Sequence, residues 1–174
     1  MGDTIQTRIF LSSTYTDLSA IRVMISQWLT GVFGTDLIIM ETFGSDAAPP
    51  DVNSVRRVRD CDLFIGIYAH RYGTVNQAAG KSIVELELDE AERAFSSGVL
   101  SDILLYVVDD TVTWPNEHRE ISQVAKTGLR RLKQKALQHT VTFFKGGEDL
   151  LFFISRDVYK RLAERIGVSP FKVR

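Results

Sequence analysis

The sequence predicts an α/β fold, a three-layer sandwich in which helices cover both faces of a five-stranded parallel sheet of order 2-1-3-4-5. Three observations predict it. Short apolar runs that suit strands alternate with longer segments of helical periodicity, and such alternation joins parallel strands by right-handed crossovers. The most apolar run, Leu63-Phe64-Ile65-Gly66-Ile67-Tyr68, carries no charge and is rich in β-branched and aromatic residues, as a strand buried on both faces should be. That run leads through a polar, Gly-containing loop, His70–Lys81, into a helix whose first residues, Ser82 and Glu85, have the spacing of a capping box.

Taken in order, Thr7–Ser12 is the first strand, and the hydroxyl cluster Ser12-Ser13-Thr14 at its end can cap a helix over Tyr15–Phe33. Leu18, Ile21, Ile25 and Leu29 mark that helix's apolar side. Asp36–Phe43 reads as the second strand. Gly44–Pro50 cannot extend it, because two prolines lack the donors a ladder needs. Asp51 then caps a short helix through Val58. After the central strand and the Ser82 helix, Asp102–Val108 is the fourth strand, and Trp114-Pro115 marks a turn. A helix over Glu117–Gln138, a fifth strand over Thr140–Phe144 and a last helix over Glu148–Ile166 follow, with Gly167 as the C-cap. This strand order puts the switch point between the first and third strands, so Ser12–Thr14 and His70–Lys81 should meet at the ligand site.

Composition narrows the function classes. The chain has 174 residues, 44% hydrophobic and 25% charged, which suffices for one domain, expected over 1–167, with 168–174 as the start of a linker. A formal net charge of -1 gives no field that would gather nucleic acid or an anionic membrane, so neither is an expected partner. Lys126, Arg130, Arg131, Lys133 and Lys135 spread around more than one helix face and read as a solvated surface. Cys61 is the single cysteine, so no internal disulfide can form, and a reducing, cytoplasmic setting is expected. No signal-peptide run opens the chain, and no apolar stretch approaches the ~20 residues of a membrane span. Three histidines at 70, 118 and 139 give no metal-ligand spacing, so neither a metal nor a resident cofactor is expected.

Chemistry concentrates after the central strand. Gly80-Lys81-Ser82 looks like the end of a phosphate-binding loop, but Val75 stands where the motif requires its first glycine. Two readings remain: Lys81 and the Ser82 helix start hold an anion, or they are a capped helix with a solvated lysine. The helix carries Glu85, Glu87, Asp89 and Glu90. Val84, Leu88, Ala91 and Phe95 form its buried stripe, and Glu85 is assigned to the cap. Glu87 falls at the stripe's edge beside Ile83, Ala91 and Ala94, and the alanines are too small to cover it, so it is either a functional carboxylate with a raised pKa or a boundary glutamate.

Five segments in this order, FLSSTYTDLSAIR (10–22), METFG (40–44), CDLFIGIYAHRYG (61–73), KSIVELELDEA (81–91) and LLYVVDD (104–110), resemble the TIR-like family known as domain of unknown function 4062. More distantly the chain is similar to TIR domains, whose Glu-Leu-x-x-Ala helix pattern is met by Glu87-Leu88-Asp89-Glu90-Ala91, and to nucleoside deoxyribosyltransferases, which place a nucleophilic glutamate four residues before an alanine. It departs from TIR domains in having Ile83 and Val84 where a tryptophan-cysteine pair precedes the glutamate. The resemblance implies a flavodoxin-like, TIR-like fold. It further implies either NAD(+) cleavage by Glu87, activated by clustering, or a non-catalytic self-association module of a multidomain NTPase-type immune, antiphage or signalling protein. A nucleotide-sensing or nucleoside-processing domain is a third reading. Under the first, NAD is substrate, Ser12, Ser13 and Thr14 contact phosphate or ribose, and Arg71 and Tyr72 border the pocket. Without a ligand, Arg71 could instead pair with Glu41, Tyr72 could pack over its loop, and His70 reads as a loop hydrogen-bond donor.

Overall fold

A computed structural model of the chain describes residues 6–39 and 50–167. Strand β1 (Arg8–Ser13) lies between β2 (Asp36–Ile38) and β3 (Leu63–Tyr68), and β3 pairs on its other side with a strand over Asp102–Val108, which in turn pairs with one over Val141–Phe144. All four pairings are parallel. Two short strands, β4 (Val75–Asn76) and β5 (Lys81–Ser82), form a separate antiparallel pair within the expected loop. The long strands are therefore β6 (Asp102–Val108) and β7 (Val141–Phe144), and the sheet order β2-β1-β3-β6-β7 is the predicted 2-1-3-4-5. The small hairpin escapes prediction because two residues per strand are too few to show a period. A turn holds it, with the Ala79 N–H donating to Asn76 Oδ1 at 2.7 Å and the Gly80 N–H to the Asn76 carbonyl at 2.9 Å.

Alternation along the strands divides the core into two layers. Ile9, Leu11, Ile65, Ile67, Tyr106 and Val108 face helices α1 (Ser19–Phe33) and α5 (Gly147–Arg165), where they meet Ile25, Leu29, Leu150 and Ile154. Phe10, Phe64, Tyr68, Leu105 and Val107 face the other way, onto Val84, Leu88, Leu132 and Ala136. Those last residues come from α3 (Ile83–Ser96) and α4 (Gln123–Ala136). Every residue of β3 is buried, and Phe10 stacks on Phe64 with ring centroids 5.8 Å apart. Gly66 is needed at the middle of β3: a Cβ there would stand 2.6 Å from Tyr68 Oη and 2.8 Å from Leu105 Cδ2.

Several boundaries differ from expectation, each for a local reason. Helix α1 starts at Ser19 rather than Tyr15, and its N-cap residue, Leu18, makes no side-chain cap. The hydroxyls expected to cap it are engaged elsewhere: Thr14 Oγ1 donates to Asp17 Oδ1 at 2.5 Å, and Ser12 and Ser13 turn toward the cleft described below. Strand β2 ends at Ile38 with Ile39 beyond it, and 40–43 of its expected span, with Glu41 and the loop over 44–49, lies outside the described residues, as does 168–174. Helix α2 (Pro50–Arg57) opens on Pro50, so Asp51 sits inside it and does not precede it. The Trp114-Pro115 turn leads only to a single 3-10 turn, Asn116–His118, and α4 begins six residues later than expected, at Gln123. Its cap is Ser122, whose Oγ accepts from the Ala125 N–H at 3.5 Å. Gly167 takes the left-handed conformation past α5, and its N–H reaches the Glu164 carbonyl at 3.1 Å. On α3, Phe95 is 47% exposed and Ala94 takes its place in the buried face.

Candidate functional site

The parallel sheet brings the C-terminal ends of β1 and β3 side by side, with Ser12 opposite Gly66 and Ser13 opposite Ile67 in register. Above those ends a cleft of about 340 Å³ opens at the switch point of the sheet. Its walls come from the turn after β1 (Ser13 to Thr16), from Arg71, Gly73 and Thr74 after β3, from Glu87 on α3 and from Glu120. Gly73, at φ 84, makes the turn that lets the loop close against β1; a Cβ there would stand 2.9 Å from Thr14 Cγ2.

Glu87 is the centre of this arrangement. It lies one helical turn past the Ser82 cap, on the face of α3 that meets β1, and is 5% exposed. Ser12 Oγ donates to its Oε2 at 2.5 Å, and Ser54 Oγ on α2 donates to its Oε1. Burial pushes its pKa up from the ordinary carboxylate value; the two hydroxyl donors and the nearby Arg22 guanidinium work against that rise. Arg22, from α1, is itself 3% exposed and donates through Nη1 to Ser13 Oγ at 2.5 Å and to the Ser13 carbonyl at 3.2 Å. The result is a buried carboxylate, fixed by two hydroxyls, with a buried cation nearby and one edge open to a polar cleft. Such a group can stabilise positive charge developing on a ligand in the cleft.

Glu85 does something different. Its backbone N–H donates to Ser82 Oγ at 3.3 Å, which is the expected cap. The reciprocal half of a capping box is missing, because the Ser82 N–H donates instead to Tyr72 Oη at 3.1 Å. The Glu85 carboxylate, 1% exposed, is held by Arg131 Nε at 2.9 Å and Nη2 at 2.8 Å and by the Tyr72 hydroxyl. It therefore ties α3 to α4 beneath the β4–β5 hairpin. Asp89 closes the same interface on Lys81, at 2.6 Å, and on Lys135.

Of the residues singled out from sequence, Glu87, Ser13, Thr14 and Arg71 line the cleft, and Ser12 stands behind it on Glu87. Lys81, Ser82 and Tyr72 do not line it. Lys81 is drawn onto Asp89, Ser82 is fully buried under the Tyr72 hydroxyl, and the Tyr72 ring is 3% exposed and packs under α4. A Cβ on Gly128 would come within 2.4 Å of that ring, so α4 needs a glycine there. The His70 ring is no hydrogen-bond donor through Nε2, which is buried without a partner; the ring rests on Trp114, and burial pushes its pKa down. Three of the five basic residues assigned to a solvated surface, Arg131, Lys133 and Lys135, are engaged in ion pairs with Glu85, Asp110 and Asp89.

Sequence reasoning missed Ser54, Arg22 and Glu120. Ser54 lies on a short polar helix that no apolar period marks, Arg22 sits on the apolar side of α1 where a cation is unexpected, and Glu120 follows an irregular segment. Burial of Arg22 was legible only in part, as the single charge within Ser19–Phe33. Among the described residues no cluster of His, Cys, Asp and Glu could hold a metal, and no helix is long and apolar enough to cross a membrane.

None of the curated proteins matches the chain. A solved structure described as a 2-desoxiribosyltransferase from Leishmania mexicana is similar at 14% identity and a TM-score of 0.41, over 59% of this chain and 65% of that one. The chain thus spans slightly less than two thirds of that protein. The family model described as Domain of unknown function (DUF4062) matches residues 8–159, most of the length, and the chain belongs to that family.

Proposed function

We propose that this cleft cleaves the N-glycosidic bond of a nucleotide, that NAD(+) is its substrate, and that Glu87 is the catalytic carboxylate. The observation that carries this reading is the state of Glu87: buried, held on both oxygens by hydroxyl donors, and lining the cleft at the switch point. As the bond from C1′ to the pyridinium nitrogen lengthens, the ribose becomes cation-like and nicotinamide leaves as a neutral base with the bonding electron pair. A fixed carboxylate beside C1′ lowers the energy of that cation, as paired carboxylates do in glycosidases. Ser12 and Ser54 keep Glu87 in one orientation, so little reorganisation is needed when the charge appears. Ser13, Thr14 and Arg71 supply hydroxyls and a cation for the ribose and phosphates.

We place activation of the cleft in self-association, which would bring a second copy against its solvent-facing side. A test incubates the purified protein with NAD(+) over a range of protein concentrations and separates nicotinamide and ADP-ribose chromatographically. Release of both in equal amounts is expected. No release at any concentration removes the enzymatic reading.

A second reading has an observation of its own. Val23, Trp28 and Val32 on α1 and Phe152 and Tyr159 on α5 are each at least 41% exposed, on the two helices that share one face of the sheet. A non-catalytic self-association module would use such a face, and it would bind itself equally well with Glu87 replaced.

A further inference from the structure

Hydrolysis of an N-glycosidic bond has a requirement that Glu87 does not meet. The water that attacks C1′ must give up a proton, and Glu87, held by one serine hydroxyl on each oxygen, is assigned to the positive charge that forms at C1′ rather than to that proton. Among the described residues lining the cleft, the carboxylates are Glu87 and Glu120; the remaining polar groups are hydroxyls and the guanidinium groups of Arg22 and Arg71. Guanidinium is always protonated and a hydroxyl is too weak a base near neutral pH.

Glu120 is placed by the chain. Its backbone N–H donates to the His70 carbonyl at 3.0 Å, which straps the segment after the 3-10 turn onto the end of β3. Its Oε2 accepts from the Tyr72 N–H at 3.0 Å, and Oε1 faces Arg71 Nη1 at 3.9 Å. Arg71 Nη1 in turn donates to the Arg119 carbonyl at 3.2 Å. The carboxylate is thus anchored by one oxygen and bordered by a cleft-lining cation at the other.

We propose that Glu120 is the base that activates water in this cleft, an assignment that rests on the N-glycosidase reading of Glu87. In the balanced step the C1′–N bond breaks and its electron pair leaves with the neutral pyridine base. The water oxygen forms the new bond to C1′, and the water proton passes to the Glu120 carboxylate and then to solvent. A free pyridine base behaves differently as an acceptor. Its ring nitrogen attacks C1′ as a neutral nucleophile with no proton to lose, so exchange of one pyridine base for another needs Glu87 and does not need Glu120.

The experiment gives NAD(+) and an excess of 3-acetylpyridine to the wild type, Glu120→Gln and Glu87→Gln, and measures ADP-ribose and the exchanged dinucleotide together. Gln at 120 keeps an acceptor for the Tyr72 N–H, so the strap is retained. In Glu120→Gln, hydrolysis should fall by ~10²-fold or more while exchange stays within a few-fold of the wild type, raising their ratio accordingly. Glu87→Gln should lose both reactions. As a second variant, Glu120→Ala should regain hydrolysis when formate, a small carboxylate, is added. Equal losses of hydrolysis and exchange in Glu120→Gln, unchanged hydrolysis, or no effect of formate would overturn the assignment. A wild type that performs neither reaction would overturn the N-glycosidase reading itself, and Glu120's role with it.

Discussion

Glu85→Gln probes a structural carboxylate two residues from the one proposed as catalytic. Glu85 is 1% exposed and receives two guanidinium bonds from Arg131 and one bond from the Tyr72 hydroxyl. A hydrogen bond to a charged group contributes about 1.5–3 kcal/mol. Breaking one side of a fully buried ion pair costs about 3–5 kcal/mol. Here the Arg131 side chain is 50% exposed and can return to water, so solvent screening lowers the expected loss to about 2 kcal/mol. For a chain of this size that is a fall in Tm of roughly 4–8 °C. Thermal unfolding followed by circular dichroism measures it, and a double-mutant cycle with Arg131→Met should return about 1–2 kcal/mol of coupling. A Tm within a degree of the wild type, or additive effects in the cycle, would refute the account of the α3–α4 interface.

Three further expectations follow from the same geometry. Burial raises the Glu87 pKa in the folded state, so the folded chain binds a proton there more tightly than the unfolded one. The stability this contributes is present below the usual carboxylate pKa and is lost as pH rises through the raised value. Glu87→Gln should therefore melt above the wild type at about pH 8 and converge on it toward about pH 4, and the opposite trend would contradict the burial argument. Ser82→Ala removes the acceptor of the Glu85 N–H and should cost about 1 kcal/mol, read as a shift in denaturant midpoint at unchanged slope. If self-association completes the cleft, the specific rate of NAD(+) cleavage should climb with protein concentration or on fusion to an oligomerising helix, whereas a flat rate over a hundredfold dilution would show that one copy suffices.

The sheet was legible because its central strand carries one signal only. Six consecutive uncharged residues ask for burial on both faces, and Leu63–Tyr68 has it. The position of Glu87 was legible for a related reason, since a carboxylate beside alanines at the edge of a helix's buried stripe borders the core, and it is buried at the cleft. Its partners were not. Ser54 is 33 residues away and Ser12 is 75, and a serine in a polar stretch carries no mark of the carboxylate it will meet. Tyr72 was misplaced because its hydroxyl competes with the capping box: it accepts the Ser82 N–H and donates to Glu85, which draws the ring under α4 and away from the cleft. The start of α1 was misread on the same grounds, because hydroxyls suited to capping were taken by Asp17, Arg22 and Glu87. Local pattern settled the elements; competition among long-range polar partners settled the site.

If Glu87 is the catalytic carboxylate proposed above, it acts on a ligand in the cleft while Glu85 holds α3 to α4. The most direct measurement is NAD(+) turnover by Glu87→Gln and Glu85→Gln, assayed side by side at high protein concentration and well below both melting temperatures. A positioned catalytic carboxylate is worth ~10²–10⁴-fold in rate, so Glu87→Gln should lose that much while Glu85→Gln stays within a few-fold of the wild type. Full turnover by Glu87→Gln, or equal losses in the two variants, would contradict it.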